Sequence, residues 1–176
     1  LKIWVAGCST GQEAYSLAII LKEENLLERT MIYATDINAV SLKKAEAGIF
    51  KLEDIQKFTT NYQRSGGKAE FSDYYTAHFD SALIQKSLKK HITFTDHSLA
   101  TDNVFSEMHF ISCRNVMIYF EKKLQERAIG LFNDSLCRKG FLGLGPKETI
   151  EFTKYAKNFI SLVKIDRIYQ KHGEIL

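Results

Sequence analysis

Short apolar runs alternate with amphipathic stretches in the first part of this chain. Residues 3–6 form an apolar run, residues 7–11 a glycine-bounded loop, and residues 12–21 carry the pattern of a helix. A second apolar run covers residues 31–34 and leads to Asp36, and residues 38–48 have the composition of a helix closed by Gly48. Strands that alternate with helices are typical of parallel sheets. The first 48 residues therefore predict two consecutive strand–helix units.

The alternation of strands and helices breaks down in the middle of the chain and resumes in the second half. Between about residues 50 and 91 the alternation is weak and residues 62–67 read as a turn, so we predict an inserted small β-subdomain, a hairpin or a short sheet. We predict further strands at 91–94, 108–113 and 141–145, a helix at 121–136 ended by Lys139-Gly140, and a terminal pair of strands or one hairpin at 159–165 and 167–169. The predicted fold class is α/β, with a doubly wound, mostly parallel sheet.

The loop between the first strand and the first helix is bounded by Gly7 and Gly11 and indicates a nucleotide site. Glycine permits positive φ and close approach to a ligand, and the following helix offers free N–H groups in its first turn. Asp36, at the tip of the second strand, stands where a ribose diol is commonly bound. The spacing is G-x-x-x-G, not the G-x-G-x-x-G of pyrophosphate binding. S-adenosylmethionine (AdoMet), which has a ribose and no pyrophosphate, therefore fits better; a tight turn without a ligand is the alternative.

Composition narrows the class of protein. The chain has 176 residues, 45% of them hydrophobic, which suits one domain with a full core. Its net charge of +3 comes from 24 basic and 21 acidic residues spread along the chain, too small an excess to indicate nucleic-acid binding. The three cysteines have no C-x-x-C spacing, so we expect no disulfide framework, no metal and a cytoplasmic location. We expect no membrane insertion, because no apolar run approaches the roughly 20 residues of a membrane span.

Polar residues follow the buried strand predicted at 108–113. Arg114 and Asn115 come directly after it, and Tyr119 lies a few residues further on. Carboxyl ends of parallel strands face the ligand crevice of such folds. Arg114 could instead cap a loop, Asn115 could make a local turn, and Tyr119 could be a core aromatic residue. Glu13, in the first turn of the first helix, could serve a ligand or only interact favourably with the helix dipole.

Two further residues could be taken for reactive groups. Cys8 lies in the glycine loop, but the sequence assigns it no partner histidine, so we interpret it as a small loop residue. His97 precedes a polar loop that is predicted to lie beside the crevice. We interpret it as a loop histidine without a catalytic role and not as a catalytic base.

Three ordered motifs together resemble one enzyme family. They are W-V-A-G-C-S-T-G-Q-E-A-Y-S-L-A at residues 4–18, A-T-D-I at 34–37 and C-R-N-V-M-I-Y-F at 113–120. They resemble the CheR family of chemotaxis receptor methyltransferases, and the resemblance covers essentially the whole chain. It implies a Rossmann-like AdoMet methyltransferase catalytic domain over residues 1–176, with an insert at about 50–91 that touches receptors. Because the sequence begins on a predicted core strand without an initiating Met, we expect it to be the catalytic domain without the helical N-terminal domain of the family.

The resemblance also implies an activity and a set of site residues. The activity is AdoMet-dependent O-methylation of glutamate side chains on the signalling helices of chemoreceptors, giving glutamyl methyl esters and S-adenosylhomocysteine. Tyr119 and Arg114 would be catalytic, with Tyr119 near the methyl group. The implied cofactor-binding residues are Gly7, Gly11, Glu13, Asp36, Ser98, Leu99, Arg114 and Asn115. Ser98 stands where the family carries Asn, so only a backbone contact is expected at that position.

Two other functions stay open at this point. The first is an AdoMet methyltransferase that acts on another protein or a small molecule; only the insert at 50–91 would distinguish it. The second is a regulatory module that binds the cofactor without activity.

Overall fold

The computed structural model describes residues 1–173. It contains the strands β1 (Lys2–Ala6), β2 (Met31–Asp36), β3 (Ile49–Lys51), β4 (Tyr75–His78), β5 (Ser81–Ile84), β6 (Ile92–Asp96), β7 (Met108–Cys113), β8 (Leu136–Leu144), β9 (Phe159–Val163) and β10 (Ile168–Lys171). The helices are α1 (Gln12–Glu23), α2 (Ala39–Ala47), α3 (Leu52–Arg64), α4 (Lys86–Lys89) and α5 (Lys122–Ser135).

Seven strands form the main sheet, in the order β6-β2-β1-β7-β8-β10-β9. The first four neighbouring pairs, from β6 to β8, are parallel, and β10 pairs antiparallel with both β8 and β9. The α/β class with a mostly parallel sheet is confirmed, and so is the hairpin at the end of the chain.

Alternate residues of β1 enter opposite layers of the core. Trp4, fully buried, packs with α5 residues such as Phe132, whereas Val5 packs with α1 residues such as Ala18. A strand covered by helices on both faces reads as a continuous apolar run, which explains why residues 3–6 carry no polar alternation. The sheet is therefore doubly wound, as predicted.

The boundary between α5 and β8 differs from the prediction. The helix ends at Ser135 and β8 begins at Leu136 without a loop, so Lys139-Gly140 lies inside the strand and does not end the helix. Lys139 has a φ of +59°, and the pairing of β7 with β8 shifts register between Met108 and Phe110. A residue in the left-handed region interrupts the hydrogen-bond ladder between two strands, as a β-bulge does. In the sequence, the residues at such an interruption resemble those at the end of a helix.

The inserted segment contains a three-stranded antiparallel sheet in the order β3-β5-β4. The predicted small sheet is thus confirmed, but the 13-residue helix α3 was not predicted. Its apolar residues Leu52, Ile55, Phe58 and Tyr62 are three or four positions apart, the spacing of one helix face. A single buried residue, Ile55, anchors this mostly polar helix.

Glu23, at the end of α1, joins the inserted segment to the main domain. Its Oε1 accepts hydrogen bonds from the Tyr62 hydroxyl, from the Tyr74 hydroxyl at 2.7 Å and from the Lys68 N–H at 3.2 Å. Burial opposes the charged form, but the hydrogen bonds from Tyr62 and Tyr74 prevail and lower the pKa of Glu23 below its ordinary value. The charged carboxylate is therefore the form that stabilises this junction.

We expect Glu23→Gln to lower the free energy of unfolding by about 1–2 kcal/mol at neutral pH, because the tyrosine hydroxyls lose a charged acceptor. A lowered folded-state pKa contributes stability above the ordinary glutamate pKa of about 4.3 and loses it as pH falls through the folded-state pKa. The difference between wild type and variant should therefore shrink in acid. Urea denaturation at neutral pH and in acid measures it. Glu24→Gln, one residue along at an exposed ion pair with Lys68, is the matched control, and an equal loss in both variants would contradict the assignment.

Candidate active site

The carboxyl ends of four parallel strands meet at one edge of the main sheet. The strands β6, β2, β1 and β7 are neighbours, and Asp36 lies opposite Asp96 in the register of β2 and β6. The polar segments that follow these strands therefore share one edge. This arrangement brings together the glycine loop, Asp36, the segment around Ser98 and the Arg114-Asn115 pair, which lie far apart in the sequence.

The glycine loop is held against β2. The N–H groups of Gly7 and Cys8 both donate to the Thr35 carbonyl at 2.8 Å. Gly7 has a φ of +76° and Gly11 a φ of +92°. A Cβ at Gly7 would lie 2.4 Å from Cγ2 of Val116, and one at Gly11 would lie 3.0 Å from the Cβ of Ala45. At both positions the absence of a side chain thus allows another side chain of the protein to approach closely. The positive φ is a second reason why glycine occupies these positions.

Asp36 connects the glycine loop to the start of α2. Its Oδ2 accepts the Ser9 N–H at 2.8 Å, and its Oδ1 accepts the Asn38 N–H at 2.9 Å. A carboxylate offers about four lone-pair positions. Asp36 therefore orders the loop and, being only half-buried, keeps acceptor positions for a ligand.

The first turn of α1 opens at the same edge. Gly11 is the N-cap residue and no side chain caps the helix, so the N–H groups of the first turn are available to an acceptor. Glu13, half-buried in this turn, accepts a hydrogen bond from the Ser112 hydroxyl of β7. Glu13 therefore contacts the end of a neighbouring strand and does more than interact with the helix dipole.

The segment after β7 presents three of the predicted residues to solvent. Arg114 and Asn115 are exposed, and Tyr119, at the end of the short helical turn Met117–Tyr119, is 83% exposed. The alternative of Tyr119 as a core aromatic residue is therefore wrong. Asn115 has a φ of +60°, a conformation that a residue other than glycine adopts at some energetic cost.

Glu148 supports this segment and was missed by the sequence analysis. It is 4% exposed. Its Oε2 accepts the N–H groups of Asn115 at 2.9 Å and Gly145 at 2.7 Å, and its Oε1 accepts those of Val116 at 2.9 Å and Met117 at 2.7 Å. An acid between Lys147 and Thr149 reads as an ordinary surface residue, so no sequence signal marked it.

Ser98 and Leu99 lie after β6, and their side chains serve the protein itself. The Ser98 N–H donates to Asp102 at 2.9 Å, and its hydroxyl accepts the N–H groups of Ala100 and Thr101 at 3.3 Å each. Leu99 is 6% exposed and packs in the core cluster that contains Trp4. The hydroxyl of Ser98 and the side chain of Leu99 are thus both engaged within the protein.

His97 is buried beside the same edge. Its Nε2 lies 3.1 Å from the Asn103 carbonyl, and its ring packs edge-on against Trp4 with 5.1 Å between ring centroids. Within residues 1–173 its buried Nδ1 has no hydrogen-bond partner. This packing supports a structural role for His97 over that of a base.

The thiols near the edge are held protonated. Burial, reinforced by Asp36, raises the pKa of Cys8 to about 12. Burial, reinforced by the negative charges of Glu148 and Glu13, likewise raises the pKa of Cys113. Because the thiolate is the nucleophilic form, neither cysteine is suited to attack a substrate at neutral pH.

A groove of about 460 Å³ runs between α1 and the inserted segment and reaches the site at Glu13 and Arg114. Its walls are mostly apolar and include Ile19, Ile20 and Phe58. It lies beside the strand edge and does not extend over Asp36.

In the described part of the chain, no cluster of three or more His, Cys, Asp or Glu side chains could hold a metal ion. No helix within the same range is long and apolar enough to cross a membrane.

Comparison with known proteins identifies the family. Residues 1–165 match the CheR methyltransferase, SAM binding domain, family. A protein named methyltransferase Cher3 from Pseudomonas putida is 54% identical over 171 residues, which are 97% of this chain and 63% of that protein. The chemotaxis protein methyltransferase of Salmonella typhimurium is 30% identical over 172 residues, 93% of this chain and 54% of that protein. The chain thus spans between about half and two thirds of the length of these relatives.

A solved structure, PKMT2 from Rickettsia typhi in complex with AdoHcy, superposes with a TM-score of 0.47 and 10% identity over 81% of this chain and 20% of that one. The predicted resemblance and the predicted cofactor, AdoMet, are both confirmed by the family match. A family match over residues 1–165 covers nearly the whole chain, and the chain therefore belongs to the CheR methyltransferase family.

Proposed function

We propose that this chain transfers the methyl group of AdoMet to glutamate side chains on the signalling helices of chemoreceptors. The products would be a glutamyl methyl ester and S-adenosylhomocysteine. The observation that carries the proposal is the convergence of the glycine loop, Asp36 and the Arg114-Asn115 pair at one strand edge. The receptor as substrate is supported by relatives named chemotaxis protein methyltransferase.

The donor set at this edge fits AdoMet. The acceptor positions left on Asp36 suit the two ribose hydroxyls, since each hydroxyl can donate to a carboxylate oxygen. The uncapped first turn of α1 suits the cofactor's carboxylate, and Glu13 suits its ammonium group. Arg114 and Asn115 would line the same pocket, with the backbone at Ser98 and Leu99 on its other side.

AdoMet supplies a methyl group bonded to a positively charged sulfur. A glutamate side chain has a pKa of about 4.3, so near neutral pH it is already a nucleophilic anion and needs no general base. The task of the protein is then to orient the carboxylate and exclude water. Tyr119 is assigned to orienting the incoming carboxylate. Arg114 is assigned first to the cofactor, because a full charge pair with the substrate would weaken its nucleophilicity.

The proposal predicts binding and a particular kind of product. S-adenosylhomocysteine should bind the chain in calorimetry, and radiolabelled methyl from AdoMet should appear in a receptor fragment as a base-labile ester that releases methanol in alkali. A fragment whose methylated glutamates are replaced by alanine is the control. Binding without transfer would favour a regulatory module, alkali-stable methylation would favour another acceptor, and no binding would refute the proposal.

A further inference from the structure

Glu148 ties together the segments that follow two neighbouring strands. Gly145 comes directly after β8, and residues 115–117 come just after β7; their N–H groups all donate to the one buried carboxylate. Four donors fill the lone-pair positions that a carboxylate offers. Unlike Asp36, Glu148 therefore keeps no acceptor for a ligand, and its role is toward the protein.

The conformation that Glu148 holds is a strained one. Asn115 has a φ of +60°, and its N–H is one of the four donors. A strained residue persists only where the surroundings impose its conformation, and such residues concentrate at functional sites. The next residue, Val116, fills the space beside Gly7. The carboxylate thus fixes a loop that contacts the glycine loop directly.

Gly145 allows this arrangement. A Cβ at this position would lie 2.6 Å from Oε2 of Glu148 and 2.8 Å from the N atom of Asn115. Any side chain here would push the carboxylate and the loop apart. Glycine at this position is therefore required by the contact between Glu148 and Asn115.

We propose that Glu148 is a positioning residue of the active site. Its carboxylate fixes residues 115–117 and so places Arg114 and Asn115 for the cofactor and Tyr119 for the substrate. The inference rests on the proposed function, because it assumes that this edge binds AdoMet and carries out transfer. Glu148 itself touches neither ligand.

Glu148→Gln tests the inference with little change in volume. The amide nitrogen cannot accept, so two of the four N–H groups lose their acceptor and face a competing donor. We expect S-adenosylhomocysteine to bind the variant at least about tenfold more weakly, and turnover at saturating AdoMet to fall by a similar factor. Glu151→Gln, at an exposed acid of the same loop, is the matched control and should bind like the wild type. Calorimetry is performed at a temperature at which circular dichroism shows every variant fully folded, so that a loss of stability alone leaves affinity unchanged.

Gly145→Ala is the second test, because it displaces the same contact and keeps the charge. It too should weaken S-adenosylhomocysteine binding. If wild type and both folded variants bind equally well, the inference is overturned while the proposed function stands. If the wild type itself does not bind S-adenosylhomocysteine, the proposed function is wrong, and the inference that rests on it is wrong as well. If neither variant folds, Glu148 is a folding element and the inference is likewise wrong.

Discussion

Asp36→Asn is expected to weaken the binding of S-adenosylhomocysteine by at least about tenfold, which corresponds to roughly 1.4 kcal/mol. Hydrogen bonds to a charged acceptor contribute about 1.5–3 kcal/mol each, about twice those to a neutral one. The amide also points a donor at the N–H of Ser9 or Asn38, which Asp36 now accepts. The loss should therefore have two sources, weaker contacts to the ribose and a less ordered glycine loop. Calorimetric titration of wild type and variant measures it.

Asp96→Asn is the matched control for this experiment. Asp96 ends β6 directly opposite Asp36 in the register but is exposed. The control should therefore bind the ligand nearly as well as wild type. An unchanged dissociation constant in Asp36→Asn would remove Asp36 from the site, and an equal loss in both variants would mean that only the net charge of this edge matters.

The residues of the first strand–helix unit were predictable because local rules and tertiary structure agree there. β1 is buried on both faces, so its sequence is a plain apolar run, and the turn into α1 requires positive φ at Gly7 and Gly11. The acid at the tip of β2 follows from the geometry of parallel sheets, whose carboxyl ends share one edge. Fold class and the position of Asp36 could therefore be predicted from the sequence alone.

The inserted segment was harder to predict because little of it is buried. Helix α3 has a clear apolar face, but Ile55 is its one buried residue and its other positions are mostly polar. Glycine and polar residues nearby in sequence, at 65–67, favour a turn, and the short strands around them obscure the helical period. Tertiary contacts such as those of Glu23 with Tyr62 and Tyr74 hold the segment in place, and they leave no periodic signal.

The role of Glu148 could not be predicted for a different reason. Its partners are backbone N–H groups, three of them about 30 positions away in the sequence. Every residue but proline has such a group, so no side-chain pattern at residues 115–117 indicates the contact. A charged residue in a polar loop is ordinarily exposed. The sequence therefore indicates the side chains that face a ligand better than those that hold the backbone behind them.

Tyr119→Phe is expected to lower the rate of methyl transfer at least about tenfold, or roughly 1.4 kcal/mol in the activation free energy, while cofactor affinity changes little. Tyr119 is 83% exposed and lies just beyond the segment that Glu148 holds. Its ring has no core packing to lose, so the substitution removes one hydroxyl and leaves the fold intact. A group that orients the nucleophile acts on the transition state more than on the ground state, so the effect should fall on turnover.

Single-turnover rates with a receptor fragment at saturating AdoMet measure this effect separately from binding. Tyr33→Phe, which removes the hydroxyl of a half-buried residue on β2, is the matched control and should transfer methyl at the wild-type rate. A Tyr119→Phe rate within about twofold of wild type, or about 0.4 kcal/mol, would place Tyr119 outside the active site. A loss of cofactor affinity with an unchanged rate at saturating AdoMet would instead assign the hydroxyl to the cofactor pocket, because an interaction made equally in the ground state and the transition state changes affinity and not the saturated rate.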